Sequence, residues 1–201
     1  MTREHDAWLV DLDGTLYAAR PVKLAMLAEV ALSGLAVAGL LRRFRSEHER
    51  LRQTQTGPAA SPYQLQLERT AHALGVAVPH VESQVREWMI ERPGKWLHLF
   101  RRQTLLAELE EFRADGGRLA LVSDYPALGK LQALGCAHLF DTVVANGEAG
   151  GPRWLKPHPD GFSLACQRLD VSPERCLVLG DRADADGEAA RRAGMAFRRI
   201  G

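Results

Sequence analysis

The feature that most constrains this chain is the segment Asp11-Leu12-Asp13-Gly14-Thr15-Leu16, which directly follows the apolar run Trp8-Leu9-Val10. The apolar run is typical of a short buried β-strand, and Gly14-Thr15 breaks the pattern where such a strand should end. Ligands of open α/β sheets bind at the carboxyl ends of the strands, so Asp11 and Asp13 stand where a reaction is expected. Two carboxylates this close attract a hard cation such as Mg²⁺. Asp-Gly is also a common turn dipeptide, so the pair taken alone leaves a plain turn equally open.

Polar residues follow three further segments that are apolar enough to form strands. These are Leu119–Val122 followed by Ser123-Asp124, segment 141–145 with Lys156-Pro157 in the next loop, and Cys176–Leu179 followed by Gly180-Asp181, Asp184 and Asp186. Each polar group stands at a strand end or in a loop, where ligands of such sheets bind. Taken singly, they have simpler interpretations: Ser123 as a turn or cap residue, Lys156 as a solvent-facing lysine and Asp186 as a helix cap.

Composition is that of an ordinary globular chain, with 201 residues of which 46% are apolar and 25% charged. This length can bury one core, or a core and a small second domain. The net charge of +1 gives no electrostatic reason to expect nucleic acid or acidic membranes as partners. The three cysteines (Cys136, Cys166 and Cys176) lack metal-ligand spacing and are expected as buried thiols. Because no secretory signal precedes the first strand, we expect a cytoplasmic protein.

Alternating strand and helix patterns in the second half of the chain favour an α/β fold with a Rossmann-like parallel sheet covered on both faces. The predicted elements are helix 104–115, strand 118–122, helix 126–134, strand 141–145, helix 159–169, strand 176–179, helix 186–192 and a short strand at 195–198. A glycine is the predicted end of three of these helices, at Gly116, Gly135 and Gly194.

Residues 18–98 break this alternation and read as wholly helical, with predicted helices 22–53, 62–75 and 81–91. Gly57-Pro58 and Val78-Pro79 are the predicted breaks, and Arg92-Pro93-Gly94 the predicted hinge back to the sheet. We therefore expect two domains: an α/β core formed by residues 1–17 and 99–201, and a smaller all-helical domain formed by residues 18–98.

The order of these motifs resembles that of the haloacid-dehalogenase-like (HAD) hydrolase superfamily. Segment 11–15 is similar to its Asp-x-Asp-Gly-Thr signature, and Ser123, Lys156 and 180–186 are similar to its hydroxyl, lysine and acidic signatures. One such motif is a weak signal, but the four in order span residues 11 to 186. The resemblance implies that 18–98 is a helical cap, which would close over the site, exclude bulk water and select the substrate.

The resemblance also implies catalytic roles. Asp11 would be the nucleophile that forms an aspartyl-phosphate, and Asp13 the general acid for the leaving oxygen and then the base for water. Ser123 would hold a phosphoryl oxygen. Lys156 would stabilise the charge of Asp11 and of the transferring phosphoryl group.

The implied cofactor is Mg²⁺. Its protein ligands would be Asp11, Asp181 and Asp13, the last through its main-chain carbonyl. Asp186 is expected either to cap a helix or to orient a metal-bound water. Asp184 has the same two interpretations with weaker support from the family pattern, and Asp124 receives no catalytic role.

The apolar stretch Leu24–Leu41 has a length at the lower limit for a transmembrane helix. Glu29 would be costly at mid-bilayer, and a span at this point would separate Asp11 from Ser123. We therefore expect a core helix of the cap, with membrane or partner docking as the minor alternative.

These inferences favour a Mg²⁺-dependent phosphatase acting on a small phosphorylated metabolite. Hydrolytic dehalogenation is disfavoured because relatives with that activity lack the second aspartate, which is present here as Asp13. A phosphomutase would use the same residues and stays open. So does a partner- or membrane-binding protein on a hydrolase scaffold, including a lipid-phosphate phosphatase with an apolar cap helix. Oligomeric state and substrate identity are left open.

Overall fold

The architecture is a five-stranded parallel sheet with helices on both faces, as seen in a computed structural model that describes residues 4–201. The strands are β1 (Ala7–Val10), β2 (Arg118–Ser123), β3 (Thr142–Ala145), β4 (Cys176–Gly180) and β5 (Ala196–Arg199). Their order across the sheet is β3-β2-β1-β4-β5, and every neighbouring pair is parallel. The predicted α/β fold is confirmed. Residues 1–3 of the predicted core domain lie outside the described range.

The helices lie partly between β1 and β2 and partly between the later strands. The bounds are α1 (Ala19–Ser33), α2 (Leu35–Thr54), α3 (Pro62–Leu74), α4 (Val78–Val85), α5 (Gly94–Leu99), α6 (Gln103–Ala114), α7 (Leu128–Leu134), α8 (Asp160–Leu169) and α9 (Glu188–Ala193). Short 3₁₀ turns occur at Ala137–Leu139 and Pro173–Arg175, and wide π-helical turns at Arg86–Glu91 and Ala183–Gly187.

Both faces of the sheet are buried, and β2 shows how the sequence achieves this. Leu119 and Leu121 belong to the cluster that includes α6, α7 and the helices of the first half of the chain. Ala120 and Val122 belong to the cluster that includes α8 and α9. Successive side chains of a strand point to opposite faces, so an uninterrupted apolar strand is required when both faces are covered.

The predicted long helix 22–53 is wrong, because the chain forms two helices that meet at Gly34. Gly34 has φ 103° and ψ 160°, a conformation that interrupts the helical hydrogen bonds and is almost restricted to glycine. The predicted break at Val78-Pro79 is also wrong in kind, because these residues begin α4. Proline suits the first turn of a helix, where its missing N–H is not needed.

The stretch Leu24–Leu41 is therefore not one core helix. Leu24, Leu32 and Leu35 are 68%, 91% and 92% exposed, whereas Leu40 and Leu41 are buried. Across the described part of the chain, none of the helices combines the length and the apolar character that crossing a bilayer requires.

The predicted core elements agree with the observed ones to within about two residues at most ends, which is the usual scatter of helix and strand boundaries. The starts of the helices predicted at 126 and 186 differ most, by two residues each. The chain from Ala183 to Gly187 forms a wide turn before α9 begins at Glu188.

Two glycine substitutions test the break between α1 and α2. We expect Gly34→Ala to lower the free energy of unfolding by about 1–3 kcal/mol, because alanine is strained at this φ and ψ. Gly39→Ala, inside α2, should instead raise it by about 0.5–1 kcal/mol, because alanine favours a helix. An added Cβ meets nothing within 4 Å at either position, so a steric clash contributes to neither effect. Urea unfolding of both variants measures the difference. Stabilisation by Gly34→Ala would contradict the break.

Candidate active site

The end of β1 places Asp11 in the middle of the sheet. Val10 pairs with Leu121 of β2 and with Leu179 of β4, so the three central strands end at one edge. The Asp11 backbone N–H donates to the Leu179 carbonyl over 2.8 Å, which fixes the first residue after the strand. Residues that follow these strands are thereby held close to one another.

The Asp11 side chain is buried and receives two hydrogen bonds. The Thr15 hydroxyl donates to Oδ2 over 2.8 Å, and the Lys156 ammonium donates to Oδ1 over 2.6 Å. Burial raises the pKa of Asp11 to about 7, against the opposing effect of Lys156 and with a further rise from the charge of Asp186. Burial therefore outweighs the stabilisation that one ammonium group gives to the Asp11 carboxylate.

Lys156 is the cation at the centre of the site. Its ammonium contacts Oδ1 of Asp11 at 2.6 Å, Oδ1 of Asp186 at 2.8 Å and the Val122 carbonyl at 3.0 Å. Burial would lower the pKa of Lys156, but the charges of the two carboxylates outweigh it and hold the pKa above the ordinary value. The lysine is thus fully charged, and it ties the loop after β3 to the ends of β1 and β2.

The backbone of Lys156 is held as firmly as its side chain. Its N–H donates to Oδ1 of Asp124 over 3.2 Å, and its carbonyl accepts from Nε of Arg52 over 2.7 Å. Asp124 follows β2, and Arg52 belongs to α2 in the helical first half of the chain. The loop that carries Lys156 is therefore hydrogen-bonded both to the residue after β2 and to α2.

Three carboxylates, those of Asp11, Asp181 and Asp186, gather beside the lysine. They offer oxygen atoms that all lie within 4.8 Å of one another, and no further Asp, Glu, His or Cys of residues 4–201 joins the group. Asp186 is buried and also accepts from the Arg182 N–H over 3.2 Å. Burial and the charge of Asp186 raise the pKa of Asp181.

Gly14 is required for this arrangement. Its φ of 94° is in the left-handed region, and a Cβ built on it would overlap with the Asp181 carboxylate. The turn after β1 can therefore pass close to Asp181 only with glycine at this position.

A family model described as haloacid dehalogenase-like hydrolase matches residues 5–194. The chain belongs to this family. The resemblance drawn from the motifs is thereby confirmed, and the residues that carried it are those gathered at the sheet edge.

Two curated relatives show how far the similarity in sequence extends. Glyceraldehyde 3-phosphate phosphatase of Methanopyrus kandleri is 38% identical over 99 residues, 48% of this chain and 41% of that protein. Fructose-1-phosphate phosphatase YqaB of Escherichia coli is 48% identical over 65 residues, 32% of each chain. The matched regions thus span less than half the length of these relatives.

Among solved structures, a dehalogenase superposes with a TM-score of 0.69 at 18% identity, covering 100% of this chain and 87% of that one. At this identity the likeness shows the shared HAD fold only.

The Asp13 side chain lies outside the three-carboxylate group. The Lys130 ammonium donates to both of its oxygens, over 2.7 and 2.8 Å, and the Tyr17 hydroxyl donates to Oδ1. Burial alone would raise the pKa of Asp13, but the charge of Lys130 and these hydrogen bonds hold it below its usual value. The two aspartates of the first HAD motif therefore have different partners.

Ser123 is the last residue of β2 and is 2% exposed. Its Oγ accepts from the Tyr125 N–H over 3.1 Å, which leaves the hydroxyl proton for another acceptor. Because the preceding residue, Val122, offers its carbonyl to Lys156, Ser123 lies beside the lysine.

The structure adds residues that sequence reasoning did not single out. Lys130 is one, although a lysine on the apolar side of α7 could have drawn attention. His48 of α2 is another: it is buried, stacks on the Tyr125 ring with centroids 4.6 Å apart and lies 3.7 Å from Asp124. The sequence offered no local signal for His48, since its partners are far away along the chain.

Removing the central cation should destabilise the protein. We expect Lys156→Met to lower the free energy of unfolding by about 3–5 kcal/mol in the presence of a chelator, because two buried carboxylates lose their counterion. Adding Asp11→Asn to this variant should recover part of the loss, since one uncompensated charge disappears. Chemical denaturation of the single and double variants measures both effects. If Asp11→Asn instead lowers the free energy of unfolding further, by the same amount as it does alone, Asp11 and Lys156 do not depend on each other.

Proposed function

We propose that this protein is a Mg²⁺-dependent phosphatase that hydrolyses a small phosphorylated metabolite through an aspartyl-phosphate at Asp11. The observation that carries the proposal is the buried Asp11 carboxylate, held by Lys156 and facing Asp181 and Asp186 at the edge of a HAD sheet. Phosphoryl transfer needs a nucleophile, positive charge on the phosphoryl oxygens and a group that handles the leaving-group proton.

The donor set suits Mg²⁺. Hard carboxylate oxygens are the ligands that Mg²⁺ prefers, and three carboxylates lie within 4.8 Å of one another here. Burial first, and the charge of Asp186 after it, raise the pKa of Asp11 to about 7, and a divalent cation beside these carboxylates would favour their ionised forms. In this proposal Asp11, Asp181 and the main-chain carbonyl of Asp13 hold the ion, and Asp186 orients a water on it. When bound, the ion neutralises charge on the phosphoryl oxygens.

In the first step an Asp11 carboxylate oxygen attacks phosphorus, and the bond from phosphorus to the leaving oxygen breaks. Asp13 gives its proton to that oxygen, so the product leaves as an alcohol. The charge of a bound phosphate raises the pKa of a neighbouring carboxyl, which favours the protonated form of Asp13 in the substrate complex. Lys156 and the Ser123 hydroxyl contact the phosphoryl oxygens as negative charge develops.

In the second step Asp13, now ionised, takes a proton from water as the water attacks the phosphorus of the aspartyl-phosphate. The bond between Asp11 and phosphorus breaks, which releases inorganic phosphate and restores the Asp11 carboxylate. The ion pair with Lys130 suits this step, because it favours the ionised form that a base requires.

We further propose that residues 18–98 act as a cap on a core of residues 1–17 and 99–201. Support comes from the two connections, which run side by side as a short antiparallel bridge between Tyr17 and Arg101. The Ala18 N–H donates to the Phe100 carbonyl over 2.9 Å, and the Arg102 N–H to the Leu16 carbonyl over 2.8 Å. Because the two connections lie this close together, the helical segment could move over the site as a unit.

The names of the relatives support a proposal for the substrate class. The matched proteins are named for glyceraldehyde 3-phosphate and fructose 1-phosphate, both small phosphate monoesters. We propose a substrate of this kind, with the cap setting its identity. The three cysteines are free buried thiols, which suits the reducing cytoplasm that we propose as the compartment.

Phosphate release tests the proposed function. We expect the protein to hydrolyse at least one member of a panel containing glyceraldehyde 3-phosphate, fructose 1-phosphate, phosphoserine and p-nitrophenyl phosphate, with Mg²⁺ but not with a chelator. Asp11→Asn should lower kcat by a factor of about 10⁴ or more, since the nucleophile is lost.

Asp184→Asn is the matched control. Asp184 lies near the same sheet edge, but it is exposed and pairs with Arg182, so its variant should keep most of the activity. Mg²⁺-independent turnover, or an Asp11→Asn variant as active as the control, would contradict the proposal. Isomerisation of a sugar phosphate without phosphate release would identify a phosphomutase instead.

A further inference from the structure

The ammonium group of Lys130 occupies a position that is unusual for a lysine. Lys130 lies on α7, is 4% exposed and shares its helix face with Leu131 and Leu134 of the apolar core. Burying an ammonium group is unfavourable unless a counterion and hydrogen bonds compensate. Its counterion is Asp13, whose two carboxylate oxygens lie 2.7 and 2.8 Å from Nζ.

This contact fixes the direction of the Asp13 side chain. Lys130 engages both oxygens, and the Tyr17 hydroxyl donates to one of them. Asp13 is two residues from Asp11, yet its carboxylate is not part of the group formed by Asp11, Asp181 and Asp186. Without Lys130, the free carboxylate could turn towards a cation bound to that group, because opposite charges attract strongly in a buried site.

We propose that Lys130 is a positioning residue that aims the Asp13 carboxyl at the leaving-group oxygen and keeps it off the metal ion. The inference rests on the proposed function, in which Asp13 is the acid and base. The proposal gives a role in the chemistry to a residue of α7, a helix that lies outside the four motifs. A general acid acts only within hydrogen-bond reach of the oxygen it protonates, so its orientation decides how well it works.

The dependence of rate on the leaving group separates positioning from a structural role. Nitrophenolate is a stable anion that departs with little help from an acid, whereas an alkyl alcohol must be protonated as it leaves. We expect Lys130→Met to lower kcat/KM for an alkyl phosphate about tenfold or more beyond its effect on p-nitrophenyl phosphate. Asp13→Asn should show the same selective loss, and methionine keeps the length of the lysine stem.

The outcomes for the two variants separate the two proposals. Selective loss in Asp13→Asn with equal losses on both substrates in Lys130→Met would overturn the inference and leave the proposed function intact. Equal losses in Asp13→Asn would instead remove Asp13 as the acid, and with it the basis of the inference. If Lys130→Met fails to fold in thermal unfolding, Lys130→Gln, which keeps a hydrogen-bond donor at shorter reach, takes its place with the same expectation.

Mg²⁺ binding provides a readout that does not need turnover. By calorimetry, we expect Lys130→Met to bind Mg²⁺ several-fold more tightly than the unsubstituted protein, because Asp13 becomes free to join the ligands. In the Asp13→Asn background the same substitution should produce a clearly smaller gain. An equal gain in both backgrounds would show only the loss of a positive charge and would overturn the inference.

Discussion

The ion pairs of the Lys156 ammonium are the interaction on which the proposed active site depends. One buried cation joins Asp11, which follows β1, to Asp186, which follows β4, and also contacts the carbonyl of Val122 in β2. The carboxylates would repel one another at this distance without it, and burial would drive them to take up protons. The excess of carboxylates over ammonium groups is also what suits the site to a divalent cation. Structural stability and the proposed affinity for a cation would therefore have the same electrostatic origin.

The parallel sheet provides the frame that this cluster requires. Strands that run in the same direction end at the same edge, so residues distant along the chain meet there. The helical segment contributes as well, because Arg52 and His48 of α2 reach the lysine loop and Asp124. The polar contacts of the candidate site therefore extend from the sheet edge into the segment proposed as a cap.

Local patterns predicted the sheet well, and physical reasons explain this. The strand before Asp11 is apolar throughout and is followed within four residues by Gly14, so both its burial and its end are visible over a short stretch of sequence. The break at Gly34 was not predicted, because a glycine in an apolar run is compatible with a continuing helix and only the backbone angles show otherwise. Val78-Pro79 was misread because proline can follow one helix or begin the next.

The partners of Asp13 could not be predicted from the sequence, for a different reason. Lys130 is 117 positions away, and only the folded chain shows that its ammonium group reaches the carboxylate. Tyr17 is near Asp13 in sequence, but the sequence does not fix the direction of a tyrosine side chain that follows a turn. Long-range pairs between side chains depend on how helices pack, which local patterns do not encode.

The covalent role of Asp11 is the central claim, and chemical trapping tests it most directly. The enzyme would be quenched in acid during turnover with Mg²⁺ and substrate, treated with borohydride and analysed by peptide mass spectrometry. Borohydride reduces an acyl phosphate to the alcohol, so the account predicts homoserine at position 11 and not at position 13, and only when substrate was present. Active enzyme with an unmodified Asp11 under conditions that trap a known aspartyl-phosphate, or with the label at another carboxylate, would contradict it.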